Sequence, residues 1–392
     1  MRPPRVMLTF ALGLFAGGLS FGQSSSPVTR DGSWWTQTSK GAIAAFGVEN
    51  VRIHAEGGVA LLGGSGTSVS YSVKKRVRAS NFARAESRLR AFRMESRRVG
   101  AALHLTFTIP TAEDTSADLA VTVPRGLPIV EIESLGGDAS AVNFDGILRL
   151  VTGGGQIDAD RLRNCFFRTA GGDIRIGSVA GPLQCYTGGG TIRVSRASGD
   201  ARLETAGGDI DVGEIDGGLT ALTGGGNIHV TRSLQAVVAR TQGGLIEVQH
   251  AGGLVTAQTA AGSIQVTSSQ GVRCASANGT IRLRNVAGVL RASTESGSIL
   301  AELRPGESLG DSTLSTNAGD ITVLIPSHMA LTVFARNESR GATGRIISDF
   351  PEIRSAAYRG LLPQTAQGSL NGGGPKLRLV AAGGTIFLRR SR

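Results

Sequence analysis

A single column of glycines constrains this chain more than any other feature. Ten lines align without gaps: TGGGQIDA, TAGGDIRI, TGGGTIRV, TAGGDIDV, TGGGNIHV, TQGGLIEV, TAAGSIQV, SANGTIRL, TESGSILA and TNAGDITV. Their central isoleucines, from Ile157, Ile174 and Ile192 to Ile299 and Ile321, are 17 or 18 residues apart until a last step of 22. Two residues before each stands a glycine: Gly155, Gly172, Gly190, Gly208, Gly226, Gly244, Gly262, Gly279, Gly297 and Gly319. Gly137 precedes them in an imperfect first copy, and Gly384 follows in a detached late copy around Ile386. No other residue type enters the column, as expected where a turn needs φ > 0.

The flanking columns define strands. Each Ile and the apolar residue two later, such as Ile176, Val194 and Val212, make a period-two face. A second short strand precedes it, with Leu183 and Cys185 or Leu219 and Ala221 on its apolar face. A second glycine seven residues after the Ile (Gly181, Gly199, Gly217, Gly253, Gly288) marks another corner. Short strands and two glycine corners per 18 residues describe one coil of an all-β, single-stranded β-solenoid. A coil cannot bury its apolar face alone, so neighbours must stack in parallel. About a dozen coils at ~4.8 Å give a rod roughly 55 Å long. Propeller blades need about 40 residues or more, which excludes that architecture.

The rest of the chain divides around this array. Arg2 and Arg5 precede an apolar run, Val6 to Phe21, with Ser20 and Gly22 placed for cleavage near Gln23, so residues 1–23 read as a secretory signal peptide. Residues 24–31 read as a polar linker, 32–134 as an N-terminal capping region with irregular coils, 135–323 as the regular solenoid and 324–392 as C-terminal coils. No stretch of the mature chain is apolar enough to span a membrane. Within the last part, residues 348–367 lack a coil signature and are expected to project from the rod or fold over its end. The helical stripe Phe82, Ala85, Leu89 and Phe92 predicts one capping helix over residues 81–95, with Ser80 as N-cap.

These features resemble a family of secreted bacterial β-strand-repeat proteins, a domain of unknown function provisionally named as adhesins and similar to the heads of auto-transporter adhesins. The resemblance covers nearly the whole mature chain, through AEGGVALLGGSGTSVSYSV, AVTVPRGLPIVEIESLGGD, the glycine-rich coils and LNGGGPKLRLVAAGGTIFL. It implies a β-solenoid of the periplasm, outer surface or exterior, with no established catalytic centre.

A Thr or Ser five before each Ile (Thr152, Thr169, Thr187, Thr205 and so on to Thr316) is expected to bond the adjacent glycine turn. A single file of this parity is not an ice-binding array. Repetitive calcium binding fails because Arg175, Arg193 and Arg282 occupy positions that would need an anionic ligand. Asp209 and Asp211, with Asp173 two coils away, span ~6.5–9.6 Å, which overlaps an inverting glycosidase pair. Yet Asp138, Asp173 and Asp209 recur every second coil, as in a sheet that avoids stacking like charges. The histidines are scattered and no nucleophile motif is present, so no cofactor, metal or catalytic residue is expected. Cys165 and Cys185 lie on adjacent coils but two residues out of line, ~8 Å apart at Cα against a limit of ~7 Å for a bridge. With Cys274, they are expected to be buried free thiols.

Charge is concentrated in one place. Residues 74–98 hold ten cations against Glu86 and Glu95. Lys74, Lys75, Arg76, Arg78, Arg84 and Arg88 are therefore candidate contacts for an anionic envelope lipid or acidic polysaccharide, with an envelope protein as the other class of partner. Nucleic acid is not expected, since aromatic interleaving is confined to Phe82 and Phe92. The expected function is a non-catalytic, adhesin-like binding module. The alternatives are a polysaccharide lyase or hydrolase, or an envelope structural or stress-sensing component.

Overall fold

A computed structural model describes residues 20–111, 114–339, 345–356 and 364–391. The glycine repeat folds as an all-β solenoid with two parallel ladders. One ladder stacks the isoleucine strands in strict register, Ile157 on Ile174, Ile192, Ile210, Ile228 and onward to Ile321. The other stacks the preceding strands, Leu183 on Ala201, Leu219, Val237, Val255, Val272 and Leu290. Alternation puts the Ile, Leu and Val files into one continuous core and leaves the intervening residues outside.

The glycine column has a different cause from the one its constancy predicts. Of its members only Gly137, Gly319 and Gly384, at the ends of the array, have φ in the left-handed range. The others have no such backbone. What excludes a side chain is close stacking: a Cβ at Gly172, Gly190, Gly208 or Gly226 would overlap the carbonyl of the column glycine one coil earlier, well under 3.0 Å away. Identical corners stacked in register leave no room between one backbone and the next.

Both ends break sequence order. At the N-terminal end, the coil built from Asn50–Ala55 and Gly58–Gly64 sits between two later ones. On one side lie Ala102–Thr108 and Thr115–Pro124, and on the other Ile129–Ser134 and Ala139–Thr152. Antiparallel strands Arg93–Val99 and Ser68–Val77 then close the two ladders, and Trp34–Ala44 pairs outside Ser68–Val77. The C-terminal end repeats the device. Lys376–Ala381 and Ile386–Ser391 stack directly on Ser312–Ala318 and Ile321–Pro326, so the detached glycine copy is the next member of the column. Leu331–Asn337 follows outside it, and antiparallel Gln364–Leu370 closes the edge. Reversed strands stop both ladders at the N-terminal end and one at the C-terminal end, where the isoleucine ladder finishes instead on the short parallel strand Ile346–Ser348.

Four expectations are corrected in detail. The linker 24–31 is instead paired: Ser20–Ser25 and Thr29–Asp31 both form antiparallel strands on Trp34–Ala44. The helix covers Phe82–Arg90, not residues 81–95, and its cap is Asn81, whose side chain accepts from the Arg84 N–H at 2.9 Å. The remaining residues of the predicted helix open strand Arg93–Val99, where edge pairing outweighs helix propensity. Ala85, Leu89 and Phe92 are buried as the stripe predicts, but Phe82 is 51% exposed and meets Trp35 edge-on. In the late segment, Phe350 and Ile353 are buried and Arg354–Ala356 pairs with Gln364–Leu370, so this part folds over the C-terminal end. Residues 357–363 of that segment, and most of the leader, lie outside the described residues.

Candidate functional site

Strand alternation sorts outward side chains into files along the rod. The file just before the threonine column reads Arg168, Tyr186, Glu204, Leu222, Arg240, Gln258, Ala275, Ser293 and Ser315. The file just after it is small or polar, with Ala206, Gly224, Gln242, Ala260, Ala277 and Glu295. Between them each threonine turns inward. Thr187, Thr205, Thr223 and Thr241 are only 6–7% exposed. Each donates its hydroxyl to the column glycine of the preceding coil at 2.8–2.9 Å and accepts the N–H of its own at 3.1–3.2 Å. The expected bond to the glycine turn is thus two bonds, one of them across coils. This inward step, repeated in register, makes an open groove parallel to the axis.

The groove has a volume of about 900 Å³ and runs from Tyr186 to Ser315 and Asn317. That is eight coils, or ~34 Å at ~4.8 Å per coil. At its first coil Tyr186 lies 5.5 Å, tilted, from Phe166, and the Arg149 guanidinium lies 4.5 Å over the Phe166 ring. Arg202 pairs with Glu204 beside them. Sequence reading missed this site. Its signal was present in the outward parity of the position before each threonine, but residue type varies so much along that file that no single coil marks it.

The carboxylates of the enzymatic alternative are occupied otherwise. Asp173 and Asp209 each accept a backbone N–H from the next coil, of Thr191 at 2.9 Å and Asn227 at 2.7 Å. Asp138 does the same for Gln156 at 2.9 Å, and Asn227 for Leu245 at 2.8 Å. Asp211 pairs with Arg193 at 3.2 Å and Asp173 also with Arg175 at 3.0 Å. The file is a set of corner brackets between coils, in which an amide serves as well as a carboxylate. Among the described residues, no group of three or more His, Cys, Asp or Glu side chains is placed to hold a metal ion.

The basic segment is split by the fold. Lys74 and Arg76 face outward on strand Ser68–Val77, and Arg76 pairs with Asp118. Lys75 points the other way, toward Phe92 at 6.0 Å, and partial burial lowers its pKa. Arg78 pairs with Asp114 at 3.3 Å and stacks on Trp34 at 4.6 Å. On the helix, Arg84 bonds Ser80 at 3.2 Å and Arg88 donates to the Arg78 carbonyl at 2.7 Å. Lys74 is exposed and makes no ion pair among the described residues. The strand-to-helix turn thus gathers Arg78 and Arg88, while Lys75 lies half-buried on the other face of its strand.

The three cysteines are buried and free. Cys185 pairs in register with Phe167, and Cys165 with Leu183, which is the predicted two-residue offset. Burial pushes the Cys165 thiol up to about 12, with Cys185 and Cys274 shifted in the same direction.

No protein-family model and no curated protein matches the chain. One solved structure, provisionally described as a cell adhesion protein from Clostridium sporogenes, is 8% identical at a TM-score of 0.23, covering 91% of this chain and 100% of that one. A likeness at this level constrains neither fold nor activity. No helix among the described residues is long and apolar enough to cross a membrane.

Proposed function

We propose that the chain is a secreted or envelope-associated, non-catalytic binding module of adhesin type, whose ligand lies in the axial groove. The observation that carries this reading is the groove itself: about 900 Å³, continuous over eight coils, with the buried threonine column at its base and outward side chains such as Arg240, Gln242, Gln258 and Asn317 along it. A rigid ladder presents these side chains at one spacing, which suits a repeating polymer. Catalysis on the same scaffold is disfavoured because Asp173, Asp209 and Asp211 are bonded within the coil stack. A leader over residues 1–23 would deliver the module to the periplasm, outer surface or exterior.

The test is binding of the full mature chain to envelope fractions and to the polysaccharides extracted from them. Exposed small residues on the flanking file give the blocking variant, Ala206→Trp with Ala260→Trp. Loss of binding in a variant that keeps its circular dichroism supports the reading. Equal binding by the blocked variant overturns it and leaves the Arg78 and Arg88 end of the rod as the contact surface.

A further inference from the structure

The lining of the groove defines the chemistry of its occupant. The charged side chains lining it are Glu204, Arg240 and Glu295, and Glu204 is paired with Arg202, so the groove carries no excess of positive charge. A polyphosphate, a nucleic acid or an acidic polysaccharide would need the opposite balance. A peptide strand is also a poor fit. Strand addition requires an unpaired sheet edge, and the strands on the groove wall, from Leu183–Thr187 to Leu290–Ser296, are bonded on both sides within one ladder. What the groove does offer is amides and hydroxyls that both donate and accept, at Gln242, Gln258, Ser293 and Asn317. At one end stands an aromatic ring, Tyr186, held against Phe166. Rows of hydroxyl-matching groups beside an aromatic face are the complement of a pyranose chain, whose extended repeat is close to the coil spacing of ~4.8 Å.

We propose that the groove binds an extended, uncharged oligosaccharide, with a sugar ring stacked on Tyr186 and the chain hydrogen-bonded by Gln242, Gln258 and Asn317. This rests on the groove being the binding surface, and it replaces the acidic polymer expected of the basic segment 74–98 with a neutral one.

Calorimetric titration with cellohexaose, mannohexaose and N-acetylchitohexaose, beside oligogalacturonate of similar length, tests it. At least one neutral hexasaccharide should bind, with little change between about 0.1 and 1 M salt. Tyr186→Ala should weaken that binding by about tenfold. Ala260→Trp should abolish it, and Gln242→Ala with Gln258→Ala should weaken it without adding bulk, which covers the event that the tryptophan disturbs folding. Groove-dependent, salt-sensitive binding of oligogalacturonate alone would overturn the neutral ligand while leaving the groove as the site. Failure of every oligomer to bind, or binding unchanged in all three variants, would overturn both.

Discussion

Thr205 donates its hydroxyl to the carbonyl of Gly190, fifteen residues earlier, at 2.9 Å, and accepts the N–H of Gly208 at 3.2 Å. One side chain therefore bonds the same corner of two successive coils. The glycine carbonyl it bonds is also the atom that a Cβ at Gly208 would strike. Threonine and glycine columns are two halves of one joint, and neither can change alone.

The glycine half is tested by neighbours. Gly208→Ala should lower the unfolding free energy by about 1–3 kcal/mol, because the added methyl forces two backbones apart. Gly207→Ala should be nearly neutral, since nothing lies within 4 Å of the new Cβ. Equal thermal midpoints for the two variants would contradict the stacking account.

The threonine half is tested at Thr223, which donates to the Gly208 carbonyl at 2.8 Å and accepts the Gly226 N–H at 3.2 Å. Thr223→Val keeps the shape and strands both partners in a buried corner, costing about 1–3 kcal/mol in urea unfolding. Thr223→Ser should restore most of it, as Ser276 already fills the same position with bonds of 3.0 and 2.8 Å.

The role of Asp209 separates a bracket from a catalyst. Asp209→Asn should leave stability within about 0.5 kcal/mol, because the amide oxygen can accept from Asn227 as Asn227 accepts from Leu245. Asp209→Ala should cost about 1 kcal/mol. A carboxylate required as such would be revealed by loss of turnover in Asp209→Asn on any glycan.

Alkaline pH should weaken the fold through the thiols. Burial raises Cys165 from the ordinary 9.0 to about 12, so between those values the folded chain holds a proton that the unfolded chain has released. The thiol's contribution is fully present below pH 9 and is lost as pH rises toward 12. Thermal midpoints should fall over that window, and less steeply in Cys165→Ala. Thiol titration should find no reactive group in the native protein at pH 8 and three after denaturation without reductant; one would mean a disulfide.

The C-terminal cover is tested by Phe350, buried at 4% exposure beneath the Arg390 guanidinium at 5.1 Å. Phe350→Ala should cost about 3 kcal/mol locally. Amide exchange should rise in Leu331–Asn337 and Gln364–Leu370 while the coils from Ile174 to Ile281 stay protected, since each coil depends mainly on its neighbours.

The repeat period and the two parities were legible in the residues alone, because a stacked coil imposes the same contact on every copy. From them followed the solenoid, the inward threonines and the unbridged cysteines, while the separate helical stripe gave the buried Ala85 and Leu89. Wherever neighbours come from distant sequence, only the tertiary structure decided. The column glycines are needed for the carbonyl one coil away, while φ is a local property that the strict conservation of type imitates. The coil 50–64 lies between coils that follow it, and Gly384 sits on Gly319, placements no local pattern encodes. Lys75 faces inward although its neighbours in the basic run do not, because one strand has two faces. The groove exists only once eight outward positions, each unremarked in its own coil, are brought into line.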